Sequence, residues 1–123
     1  MSRALILFAH GARDPRWAEP FQRLQRLIEA QLPGVVVALA FLELMTPQLP
    51  ELVAQLLQSG CKDVTVVPVF LGQGGHVLRD LPLLAEGLRE QFPGLKLRVA
   101  GAVGEDADVL AAMAAYCIGT LAS

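Results

Sequence analysis

The chain of 123 residues has two histidines, each in a loop-like stretch rich in glycine or arginine: His10-Gly-Ala-Arg-Asp and Gly72-Gln-Gly-Gly-His76. Midway between them stands Glu43, an acid set among apolar residues in Phe41-Leu-Glu-Leu-Met-Thr-Pro, where a buried charge would need a partner. Two imidazoles and a carboxylate suit a borderline divalent ion such as cobalt, nickel, iron or zinc. Neutral imidazole near pH 7 also accepts protons, so the same side chains can serve as general bases. Taken singly, a histidine after a buried strand is as readily a structural hydrogen-bonder, and Glu43 alone is as readily a helix cap or an arginine's partner. The two histidines favour function only as a pair.

Arg13, Arg16 and Trp17 follow the first histidine, and Arg79 follows the second, just before Asp80. Arginine is the natural partner of carboxylates, and an indole face can lie against a flat ring. If these residues act, their ligand is flat and acidic; otherwise they are solvated surface charges. The glycines at 72, 74 and 75 have neither the GxGxxG register nor the GK[ST] ending of a phosphate loop, so they are a weak nucleotide signal.

The surrounding elements must bring these residues together. Residues 3–9 (RALILFA) form a short apolar run ended by Gly11, Asp14 and Pro15, which reads as a buried strand. Over 18–31, Phe21, Leu24, Leu27 and Ile28 recur at helical spacing, and Pro33-Gly34 closes the segment. The beat then repeats: a strand over 35–42, a helix opened by Thr46-Pro47 and running through 57, and a strand over 62–70. Pro68 cannot donate to a ladder, so pairing there should be irregular or confined to the strand's end. The Gly-rich loop leads to a helix from about 81 to 91, and a strand over 95–100 and an alanine-rich helix over 106–121 complete the chain. Four strand-helix units in series imply a parallel sheet with right-handed crossovers. In such a sheet the ligand sits beyond the carboxyl ends of the strands where the order reverses. For a flavodoxin-like order two-one-three-four, that point lies between strands one and three, where the histidine loops begin.

A hydrophobic fraction of 54% with only 18% charged residues is the composition of strands buried on both faces, and no linker or low-complexity tract divides residues 1–123, which read as one domain. A net charge of −2 gives no general attraction to phosphate backbones, so nucleic acid is a poor partner. The apolar run 4–9 is too short for a signal-peptide core or a membrane span, which leads us to expect a soluble cytoplasmic protein without a membrane partner. Cys61 and Cys117 lie far apart with no zinc-like spacing, and both read as small, reduced, apolar residues.

Three blocks, HGARDPRW, AFLELMTPQLP and PVFLGQGGHVLRDLP, resemble the class II chelatases, and within them the short-form sirohydrochlorin cobaltochelatases. The third, with its apolar-Gly-x-x-His-x-x-x-Asp-apolar-Pro pattern, is the most specific, and together the three span nearly the whole chain. The resemblance implies a chelatase-like α/β three-layer sandwich on a four-stranded parallel sheet of order 2-1-3-4. It further implies ATP-independent insertion of Co²⁺ into sirohydrochlorin on the route to cobalamin, the metal being a substrate and no permanent cofactor being needed. By position, His10 and His76 correspond to the metal-handling and proton-accepting pair and Glu43 to the acid assisting them. Members of ordinary length contain two such domains facing each other, so this chain is expected to form a homodimer, with the last helix a candidate contact or, equally, an ordinary packed helix. Ala12 stands where the family usually has serine, which removes one hydroxyl contact to the ligand. The open alternatives are the same reaction with Fe²⁺ or Ni²⁺ and a non-catalytic carrier of metal or tetrapyrrole. A flavodoxin-like nucleotide binder is disfavoured, because no Ser/Thr-rich loop follows strand one.

Overall fold

Four runs of apolar and branched residues form the sheet: β1 (Arg3–Ala9), β2 (Val35–Phe41), β3 (Asp63–Pro68) and β4 (Lys96–Val99). All pair in parallel in the order β2-β1-β3-β4, with Leu5 of β1 level with Val37 on one side and Thr65 on the other. The strands are followed in turn by helices α1 (Glu19–Gln31), α2 (Leu49–Gln58), α3 (Gly75–Gln91) and α4 (Ala107–Gly119), with short 3₁₀ turns at Pro15–Ala18 and Val103–Glu105. This computed structural model describes residues 2–72 and 75–121, with the side chains of 75–78 outside that description. The expected α/β fold and strand order are therefore observed.

Alternation along the strands sends one set of side chains to each face. Ala4, Ile6, Phe8, Val64, Val66 and Leu97 meet Leu49, Leu52, Val53 and Leu56 of α2 and Leu81, Ala85 and Leu88 of α3 in the main core. On the opposite face α1 half-buries Phe21, Leu24 and Ile28, and a small second cluster forms from Ala9, Ala18 and Phe41 with Trp17, Phe21, Leu39 and Met45. Both outer strands are tied to a helix: Gln25 of α1 donates to the Val37 carbonyl at 2.8 Å, and Arg89 of α3 donates to the Leu97 carbonyl at 2.9 and 3.1 Å. These bonds occupy carbonyls that an edge strand would otherwise offer to another chain.

Three boundaries differ from the sequence expectation. Thr46-Pro47 does not open α2; Phe41 donates to the Pro47 carbonyl at 3.0 Å, and the helix begins at Leu49 with Glu51 accepting from the Gln48 N–H. Helix α3 begins at Gly75 rather than near residue 81 and carries Pro82 inside it. The third strand ends at Pro68, which confines the missing donor to the strand's end as anticipated. The last helix differs in its surroundings: α4 has no buried residue, and its Cys117 is exposed, whereas Cys61 is buried and its thiol is pushed up by that burial and by Asp63. Both cysteines are free.

Candidate functional site

The carboxyl ends of β2, β1 and β3 are joined by backbone bonds that continue past the regular strands. Leu42 N–H donates to the Ala9 carbonyl at 2.8 Å, Glu43 N–H to the His10 carbonyl at 3.0 Å, and Val69 N–H to the Phe8 carbonyl at 2.8 Å. His10 and Glu43, far apart in sequence, are thus neighbours through their main chains. Gly11 makes this closeness possible. Its φ of 96° is one that side-chain-bearing residues rarely adopt, and a Cβ built there would run into the Glu43 carbonyl oxygen.

The His10 ring is exposed and lies against Phe70, with centroids 4.4 Å apart and planes inclined by 37°. Phe70 is buried and follows the end of β3, so its ring gives the imidazole a fixed floor at the boundary between β1 and β3. The chain then runs through exposed Leu71 and Gly72 toward α3, whose second residue is His76. The His76 side chain and Gly74 lie outside the described residues. Gly104 secures this approach: its N–H donates to the Phe70 carbonyl at 2.9 Å, and a Cβ there would collide with the Leu71 backbone.

Glu43 is exposed rather than buried, because the chain bulges outward between Leu42 and Gln48, and Glu51 takes the helix-capping part. Among the described residues Glu43 forms no ion pair. Arg13, in the loop after β1, and Arg79, in the second turn of α3, are exposed. Arg16 is also exposed, but its guanidinium grips Asp14 through both Nε and an Nη, at 2.7 to 3.2 Å. That grip, with the Arg16 N–H bond to the same carboxylate, holds Asp14 below the usual carboxylate range and raises Arg16. Asp14 also caps the first 3₁₀ turn, fixing the path from the His10 loop into α1. Trp17 is half-buried, 4.6 Å from Phe21 and 6.4 Å from Phe41 between ring centroids, so part of its indole is committed to the small cluster under the loop.

Two leucines add to the site without any signal in the sequence. Leu44 has φ 66°, and Met45 N–H donates back to the Glu43 carbonyl at 2.8 Å, a γ-turn with a strained centre. A left-handed leucine costs about 1–3 kcal/mol and persists only where surrounding structure imposes it, commonly at binding sites. Leu44 and Leu71 are 57% and 66% exposed, so apolar side chains flank the His10 edge on the β2 and β3 sides. Among the described residues, no three His, Cys, Asp or Glu side chains group closely enough to hold a metal ion. Nor is any described helix long and apolar enough to cross a membrane.

Comparison with known proteins gives consistent results. The CbiX family model matches residues 4–117. The sirohydrochlorin cobaltochelatase of Methanocaldococcus jannaschii is 35% identical over 81 residues, 66% of this chain and 57% of that protein. The chain spans little more than half the length of the curated relatives it matches. A solved CbiX protein from Marinobacter aquaeolei superposes with a TM-score of 0.85 at 31% identity, covering 97% of each chain. The cobalt-bound sirohydrochlorin chelatase SirB of Bacillus subtilis superposes with a TM-score of 0.74 at 22% identity, covering 86% of this chain and 45% of that one, a likeness of fold.

Proposed function

The chain belongs to the CbiX family, and on that footing we propose that it inserts Co²⁺ into sirohydrochlorin without ATP, as a single-domain cytoplasmic enzyme acting as a homodimer. The observation that carries this reading is the position of His10: exposed, tied through its backbone to Glu43 after β2, and seated on Phe70 after β3 at the point where the strand order reverses. The loop past Phe70 leads directly to His76.

The chemistry asks for this kind of edge. Insertion replaces two pyrrole N–H protons by one divalent ion, so metal delivery and proton removal must happen at one place. His10 and His76 hold the ion weakly and accept protons, while Glu43, exposed beside His10, supplies charge that helps draw in the cation. Imidazole and carboxylate, unlike a set of thiolates, hand a borderline ion on rather than trap it. Arg13 and Arg79 meet the macrocycle's carboxylates. Arg16 joins them through whatever donors its grip on Asp14 leaves, and Trp17 presents the uncovered part of its indole. Leu44 and Leu71 give the flat ring apolar contact on either side.

Purified protein supplied with sirohydrochlorin and Co²⁺, Fe²⁺ or Ni²⁺ in turn, followed by absorbance, tests the assignment. The expected result is fastest insertion with Co²⁺ and turnover well beyond one equivalent per site. No spectral change with any metal would end the chelatase reading, and a change that stops at one equivalent would make the protein a carrier.

A further inference from the structure

We propose that Phe70 is the positioning residue of His10: its phenyl face, in place of a hydrogen bond, sets the plane of the imidazole that meets the ion and the macrocycle. The inference rests on the role given to His10 above and says what holds that side chain in its working orientation. Strand register brings the two residues together. Phe8 of β1 is level with Pro68 of β3, and the Val69 N–H bond to the Phe8 carbonyl carries the pairing past the strand ends, which sets Phe70 level with His10. Alternate side chains of a strand share a face. Ala4, Ile6 and Phe8 on β1 and Val64 and Val66 on β3 enter the main core, as does Phe70, so His10 and Phe70 stand on the next step of the same two rows.

One of the two rings is locked and the other is open. Phe70 is 5% exposed, meets Phe8 edge-on with centroids 6.0 Å apart and planes at 65°, and accepts the Gly104 N–H at its carbonyl. The core therefore fixes its side chain, and the turn after β4 fixes its backbone. The imidazole that rests against it is exposed. A core phenylalanine needs only apolar neighbours, yet this one also turns ring surface toward a polar side chain that water would otherwise surround. Phe70 is at once the last layer of the core and the first layer of the site.

An imidazole on two rotatable bonds has to be pointed before it can act, and misplacing a reacting group by about 1 Å can cost about 10²-fold in rate. Metal-handling histidines are usually pointed by their second ring N–H, donated to a carboxylate or a carbonyl, a bond that also strengthens the imidazole as a ligand. Among the described residues, none forms a hydrogen bond with the His10 ring. Contact through the phenyl face fixes the ring plane while leaving the ring nitrogens to the ion and to protons. An ion held by an imidazole that no such bond strengthens is passed on more readily, as a substrate metal must be.

Phe70→Leu, which stays apolar but has no ring, separates this role from a purely structural one; Phe70→Met serves if that variant folds poorly. In the insertion of Co²⁺ into sirohydrochlorin, kcat should fall about 10- to 100-fold, with KM for sirohydrochlorin changed by less than about twofold. In a His10→Ala background the same substitution should lower the residual rate by less than about twofold, because the side chain it positions is gone. An unchanged kcat, or equal losses in the two backgrounds, would overturn the proposal. NMR of the histidine ring signals, at a pH where histidine is neutral, adds a readout that needs neither turnover nor a folded Phe70 variant. The chain has two histidines, so His10→Ala identifies the His10 signals, which the phenyl ring current should displace from their free-histidine positions. Undisplaced signals in the wild type would also overturn the proposal. A wild type that inserts no metal would remove the chelatase reading and this role with it, whereas an active wild type matched by Phe70→Leu would remove this inference alone.

Discussion

On the side of the sheet facing α2 and α3, Ile6, Val64 and Val66 are fully buried among Leu49, Val53, Ala85 and Leu88, whereas on the side facing α1, Leu27 is 63% exposed and Thr65 and Val67 are only half-covered. The first face supplies the burial that drives folding. The second is left thin, and at the carboxyl edge between the faces backbone bonds hold the loops after β1, β2 and β3 together while the His10 ring rests on Phe70. Stability and the proposed binding site are thus drawn from different parts of one small sheet. Changes to the first face should act on folding, and changes to the edge should act on chemistry.

The largest expected effect on stability is on the packed face. Ile6→Ala should cost roughly 2–5 kcal/mol in urea unfolding, because it opens a cavity in a site that is 0% exposed. Leu27→Ala on α1 should stay within about 0.5 kcal/mol. Equal losses at the two positions would break the contrast between the faces.

A smaller loss of stability with a larger loss of activity is expected at the glycine anchors. Gly11→Ala should cost about 1–3 kcal/mol, since the new methyl combines a left-handed φ with a collision at the Glu43 carbonyl. Because it also displaces His10 from Glu43, metal insertion should fall by more than the unfolded fraction explains, whereas Gly104→Ala, acting through Leu71, should do so less severely. Urea titration combined with insertion rates at a temperature where each variant is folded would check this. Rates that merely track the folded fraction would mean that the anchors serve stability alone.

Much of this organisation was legible in the residues. Arg3–Ala9 was recognisable because a buried parallel strand is an unbroken apolar run, and His10 because it is the first polar residue after that run. The start of α3 was hidden because Gly75 and Pro82 both read as breakers, although a helix tolerates each where surrounding contacts hold the backbone. The exposure of Glu43 was hidden for a related reason: its apolar neighbours implied burial, but Leu44 in a left-handed turn sends the chain outward. Gly104 had no signal at all, since its role depends on a backbone contact with Leu71, distant in sequence. The apolar composition of α4 correctly marked a helix, but composition could not say that none of its residues would be buried.

His10 and His76 are proposed to act together on one metal ion and one ring at the carboxyl edge. Turnover of sirohydrochlorin with Co²⁺ by His10→Ala and by His76→Ala, each with its fold checked by circular dichroism, tests it most directly. Both variants should keep the wild-type spectrum and lose insertion by about 10²-fold or more, as removal of a proton-accepting metal ligand requires. A folded His10→Ala protein that inserts cobalt at close to the wild-type rate would contradict the account.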